Sequence, residues 1–220
     1  RMNAEESSMN TEELIERMTE GLEPVAPLPS PGKRAAAWLL GAALYLGVLV
    51  LAMVSASGAA GTAETAFWGS QAVAIAAGVL ASIAAFVSVV PGLANRVRWW
   101  AVAAFLVWLA TLVASPAGVD WSTVAAADHE WVCAGFIVIG GAPLAAALAW
   151  MLRSGAPLSP ATTAALAALA VATLANVGAC VSLPHENGAV TFAWHGSVVL
   201  AVVGIAAWSG RRLFSWPKAK

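Results

Sequence analysis

Charge is scarce. Asp, Glu, Lys and Arg make up 10% of the 220 residues, and none of them falls in the middle of an apolar run. Proton-coupled transporters and ion pumps normally carry such groups inside the membrane, so transport chemistry is disfavoured. Cysteine is nearly absent, with two residues, Cys133 and Cys180, and no Cys-x-x-Cys. A relay that passes electrons between thiols generally needs a second pair or a bound cofactor. Of the three histidines, His129, His185 and His195, only His195 lies within an apolar run, too few for bis-histidine haem ligation. No apolar h-region precedes the first apolar run: residues 1–34 hold seven of the twelve acidic residues, so the segment reads as a tail and not as a signal peptide.

Apolar sequence fills most of the chain, at 60% of residues. A run of about 20 apolar residues crosses the roughly 30 Å hydrocarbon core as a helix, and six such runs can be read, near 35–54, 67–90, 99–114, 131–151, 161–182 and 191–209. Helices are required, because backbone amides facing lipid must be satisfied within their own segment. The fold class is therefore all-α: a polytopic membrane protein with a six-transmembrane-helix bundle over 35–209, a tail at 1–34 and a short tail at 210–220. Trp38, Trp68, Trp99, Trp100, Trp131, Trp150, Trp194 and Trp208 fall near the ends of these runs and read as interfacial anchors. Abundant Ala and Gly, such as Gly140 and Gly141, allow close helix approach where packing must drive association.

The basic residues settle the expected topology. Arg1, Arg17, Lys33 and Arg34 precede the first run, Arg96 and Arg98 lie between the second and third, Arg153 between the fourth and fifth, and Arg211, Arg212, Lys218 and Lys220 after the sixth. With six spans all eleven face one compartment, so the positive-inside rule places both termini in the cytoplasm. The opposite loops carry Glu64, Asp120, Asp128, Glu130 and Glu186 and no basic residue.

The tail has its own pattern. Asn10 followed by Glu13 reads as an N-cap with a capping-box partner, and Leu14, Ile15, Met18 and Leu22 form one apolar stripe of a helix over about 11–22. So short a helix is marginal alone in water, and its stripe calls for a cover. Pro24, Pro27, Pro29 and Pro31 then make an extended, semi-rigid spacer. The polar face is acidic, whereas helices that lie on a membrane surface usually carry a basic one, so a protein partner is favoured over the inner leaflet.

Cys133 falls about one turn inside the fourth run and Cys180 near the end of the fifth, at similar depth on the side away from the basic residues. The short 152–160 connection makes these runs antiparallel neighbours, close enough for the thiols to share an ion or form a disulfide, which the spacing alone does not prove. His195, His185 and His129 surround the same layer, and thiolate and imidazole suit Cu(I) or Zn(II). The two cysteines read equally well as small packing residues, and His195 as an interfacial side chain. Asn176, one turn before Cys180, reads as interhelical hydrogen-bonding glue.

Taken together these residues resemble the negative regulator of sigma F type family of bacterial inner-membrane anti-sigma factors. The resemblance rests on Thr11-Glu12-Glu13-Leu14-Ile15 and Leu22-Glu23-Pro24-Val25-Ala26-Pro27-Leu28-Pro29 in the tail, and on Val90-Pro91-Gly92 before the third run. Arg153-Ser154-Gly155-Ala156-Pro157-Leu158 and Trp194-His195-Gly196 extend it over nearly the whole chain. The resemblance implies a six-helix inner-membrane protein with a cytoplasmic tail, and a role in sensing metal or oxidative stress for Cys133 and Cys180. One departure stands out: the family places a proline close behind the second cysteine, whereas Val181-Ser182-Leu183 intervene here before Pro184.

The expected function is thus not enzymatic. The tail stripe Leu14, Ile15, Met18 and Leu22 would hold an extracytoplasmic-function sigma factor at the membrane, with no direct contact to nucleic acid. Metal or oxidant at Cys133 and Cys180, assisted by His195 or His185, would release it. No cofactor is obligatory, Cu(I) or Zn(II) enters only as signal, and a homodimer is left open. The rival readings on the same cysteine layer are a membrane thiol oxidoreductase and a metal permease.

Overall fold

In the computed structural model the described residues are 11–20, 28–57, 65–93, 96–113, 130–155, 157–183 and 192–214. Among them the chain forms helices and no strand. Helix α1 is Thr11–Thr19, α2 Pro31–Ser57, α3 Thr65–Ser88 and α4 Val97–Val113. Helix α5 runs through Glu130–Gly135, a π-helical turn Phe136–Gly140, and Gly141–Arg153. Helix α6 is Pro160–Ser182, and α7 opens with a second π turn, Phe192–Gly196, before Ser197–Leu213. Five of these, α2, α3, α5, α6 and α7, are long and apolar enough to cross a membrane. The third expected span is the shorter apolar helix α4, of 17 residues, about 25 Å at 1.5 Å per residue.

Small residues decide how the bundle closes. Helix α6 is rich in Ala and Thr and is buried along most of its length, packed against α2, α3, α5 and α7. Its neighbours approach closely because the contact positions carry little side chain. At Gly210 of α7, a Cβ would lie 2.7 Å from the Pro160 carbonyl oxygen and 2.9 Å from the Ala161 Cα, so only glycine fits between these helices. At Gly178 of α6, a Cβ would lie 2.9 Å from the Phe136 ring. Hydroxyls inside the bundle donate back to their own helices: Thr173 Oγ1 to the Leu169 oxygen at 2.7 Å and Ser182 Oγ to the Gly178 oxygen at 2.8 Å. Ser88 Oγ and Thr163 Oγ1 meet at 2.8 Å and tie α3 to α6.

Contacts between helices give the bundle two chemically distinct ends. At one, Arg34 of α2 reaches Met151 of α5 and Ser154 just past its end, Arg153 donates to the Leu213 oxygen of α7, and Gly155 sits against Val89. This is the basic end. At the other, Trp131 of α5 meets Trp194 of α7 edge to face, with ring centroids 4.8 Å apart.

Trp38 is a correction to the reading of tryptophans as interfacial anchors. It is buried, at 4% exposure, and donates Nε1–H to the Leu144 oxygen at 3.3 Å. An indole N–H buried in a bundle needs an acceptor, and a neighbouring helix supplies one. Trp68, Trp99, Trp100, Trp131, Trp150 and Trp208 are exposed on the bundle surface.

Helix α1 differs from the rest. Glu12 and Glu13 sit in its first turn and Arg17 in its last, the arrangement a helix dipole favours. Arg17 pairs with Glu13 at 3.3 Å, and Thr19 Oγ1 closes the last turn on the Ile15 oxygen at 2.8 Å. The helix ends at Thr19, short of the expected Leu22, which lies outside the described residues.

Candidate functional site

The thiol end gathers three polar side chains from two helices. Asn176 and Cys180 are one turn apart on the buried face of α6, and His195 comes from the π turn that opens α7. All three are buried, Asn176 at 0% exposure and Cys180 and His195 at 1% each. His195 Nδ1–H donates to Asn176 Oδ1 at 2.6 Å, the tautomer that an amide oxygen acceptor requires. Cys180 Sγ lies 3.6 Å from the same Nδ1 and 3.9 Å from Asn176 Oδ1. The imidazole thus bridges α7 to α6 within reach of the thiol.

The local sequence explains this placement. A π turn carries one residue more than an α turn, which shifts the register of the side chains before it. In α7 that turn is Phe192-Ala193-Trp194-His195-Gly196, and it turns His195 inward while Trp194 packs on Trp131. Gly178, between Asn176 and Cys180, lets the Phe136 ring close over α6.

Cys133 is fully buried in the first segment of α5, which packs against α6 and against the π turn of α7. It therefore belongs to the same end of the bundle as Cys180 and His195. Both cysteines are buried, and no disulfide joins them in the structure. His185 and His129 lie outside the described residues.

The donor set bears on metal binding. Among the described residues no three His, Cys, Asp or Glu side chains come together as a metal-holding group, so a closed four-donor zinc site is not formed by them. The Asn176 Nδ2 amide is buried with no hydrogen-bond partner among the described residues. That orphan is an N–H donor, which cannot ligate a cation. The soft donors that do meet are two, the Cys180 sulfur and the His195 imidazole, 3.6 Å apart.

The tail stripe stands apart from this cluster. Leu14, Ile15 and Met18 are 42%, 55% and 69% exposed, and no residue of α1 is buried. Leu22, the fourth member, lies outside the described residues. Two features of the site carry no sequence signal of their own: the π turns, and the pairing of Asn176 with His195 across nineteen positions.

A bundle of apolar helices preceded by a short helix with an uncovered apolar stripe describes an α-helical membrane protein that recognises something outside its own core. The partner is set by ancestry: residues 18–216 match the model of the negative regulator of sigma F family, and the chain belongs to that family. It is a negative regulator of a sigma factor, and a sigma factor is its partner. The matched span begins at Met18, so it takes in the last residue of the described stripe and leaves Leu14 and Ile15 ahead of it. No curated protein and no solved structure matches the chain.

Proposed function

We propose that this protein is an inner-membrane anti-sigma factor that holds an extracytoplasmic-function sigma factor through α1 and releases it when the thiol layer is modified. Leu14, Ile15, Met18 and Leu22 form the sigma-binding stripe, and both chain termini face the cytoplasm. The thiol layer then faces the opposite compartment, where soft cations and oxidants arrive first. The observation that carries this reading is the 3.6 Å approach of Cys180 Sγ to His195 Nδ1 inside a buried cluster that joins two helices.

Two inputs fit the chemistry. A soft cation such as Cu(I), or Zn(II) with further donors, would replace the thiol protons of Cys133 and Cys180, with His195 or His185 as an additional ligand. A peroxide would take two electrons and two protons from the thiols, leaving a Cys133–Cys180 disulfide and two waters. Either event changes the spacing of α5, α6 and α7 at the thiol end, and the bundle carries that change to the tail. Moving the sigma-bound equilibrium by 100-fold takes about 2.7 kcal/mol of differential affinity, within the range of a two-thiolate site.

The test is capture and release. Full-length protein in nanodiscs should co-purify with its cognate sigma factor and lose it on titration with Cu(I), Zn(II) or peroxide. Capture that withstands all three would sink the sensor reading while leaving the anti-sigma assignment in place.

A further inference from the structure

Among the described residues Arg34 is the only buried arginine. Its side chain is 7% exposed, on the second helix's first turn, at the basic end of the bundle. One guanidinium nitrogen donates to the Met151 carbonyl and to Ser154 Oγ, the latter at 2.8 Å. The Phe86 ring covers one face, 5.0 Å from the guanidinium carbon. The other terminal nitrogen, NH1, is buried with no hydrogen-bond partner among the described residues. Among the described residues no carboxylate meets Arg34: its partners are a carbonyl, a hydroxyl and a ring, all neutral. A buried cation with an unsatisfied N–H calls for an anion.

The surroundings supply the place for one. Arg34, Trp150, Met151, Arg153 and Ser154 line a cleft of about 400 Å³, within the roughly 300–1,000 Å³ usual for small-ligand sites. Arg153 brings a second positive charge, its Nε–H held by the Leu213 oxygen at 3.3 Å. Trp150 is 76% exposed on the outer surface of α5, where an indole marks the headgroup layer. Two arginines, one hydroxyl and an interfacial tryptophan at the ends of membrane-crossing helices match the headgroup of an anionic lipid. Guanidinium groups bind phosphate oxygens bidentately, and basic pockets between helices are recognised headgroup sites.

We propose that this cleft binds the phosphate of an anionic phospholipid from the adjoining leaflet, with Arg34 and Arg153 on the phosphate, Ser154 as a supporting hydroxyl, and Trp150 and Met151 against the glycerol and acyl portion. The bound lipid would satisfy Arg34 NH1 and clamp α2, the helix that follows the tail, to the end of α5.

The test is native mass spectrometry of the full-length protein in detergent with equimolar phosphatidylglycerol and phosphatidylcholine. Wild type should retain phosphatidylglycerol preferentially, and Arg153→Gln should lose roughly fivefold of that preference, the contribution of one basic group near a lipid headgroup. Arg34→Gln removes an internal anchor and can fail to fold, so Arg34→Lys is the second variant, keeping the charge and losing the bidentate geometry. Equal retention of the two lipids by wild type overturns the site. A preference that survives both Arg153→Gln and Arg34→Lys overturns its location in this cleft. Displacement of phosphatidylglycerol by inorganic phosphate at matching concentration overturns the lipid as source and leaves a free phosphate as the ligand.

Discussion

His195 on the last helix and Asn176 on the central one share a 2.6 Å hydrogen bond that also holds the imidazole beside Cys180. This one contact couples the geometry of α7 to the environment of a thiol, so the two can be perturbed separately by choosing which partner to change.

Asn176→Leu removes the oxygen acceptor and leaves the buried imidazole N–H with the weaker Cys180 sulfur beside it. The loss should be about 1–2 kcal/mol, between the roughly 0.6 kcal/mol average for interhelical bonds in membranes and the 1–3 kcal/mol of an orphaned buried group. Thermal unfolding in detergent reads it directly. An unchanged midpoint would mean that the contact contributes no net stability.

Cys133→Ser and Cys180→Ser should each leave sigma capture intact and abolish release by metal or oxidant. A reporter driven by the sigma factor, induced with graded Cu(I), Zn(II) or peroxide, distinguishes the outcomes. Full induction in both single variants would remove the thiols from the mechanism. His195→Ala, which leaves both sulfurs in place, should weaken the response without removing it.

Leu14→Asp combined with Ile15→Asp puts two charges into the exposed stripe of α1. Because neither residue is buried, the bundle should unfold as wild type does, while sigma capture falls by more than tenfold, as expected when central apolar contacts are lost. A folded double variant that still captures the sigma factor refutes α1 as the interface.

Gly210→Val places a branched side chain against the backbone at Pro160 and Ala161, where a Cβ alone would lie under 3 Å from both. Backbone cannot step aside as a flexible side chain can, so the cost should reach the upper part of the 1–3 kcal/mol range for overpacking. Gly204→Val, on the same helix with open space around it, is the control. Similar unfolding of the two would contradict the close approach of α6 and α7.

How much of this was legible in the sequence differs from element to element. The long helices were legible because lipid imposes one rule, continuous apolarity, and α2, α3, α5, α6 and α7 obey it. The burial of Trp38 was not, because a tryptophan near a helix end meets the same local description whether it faces lipid or a neighbouring helix. Arg34 was read only as a topological charge, since nothing in its neighbourhood of sequence foretells Phe86, Met151 and Ser154 closing around it. Asn176 and Cys180 were placed on one face by their spacing of four, which is local. The arrival of His195 beside them depends on a π turn, for which the residues 192–196 offer no periodic signature.

The order of synthesis gives the central position of α6 a further meaning. Its neighbours α2, α3 and α5 are made before it, and α7 after it, so α6 enters a partly built bundle and keeps one side open until the chain is nearly complete. The last helix closes that side, with His195 near its start and Gly210 near its end. An unfinished or C-terminally clipped chain that stops before Phe192 would hold Asn176 and Cys180 without their imidazole. The thiol cluster is therefore a product of late assembly, absent from every intermediate of biogenesis that stops short of the last helix.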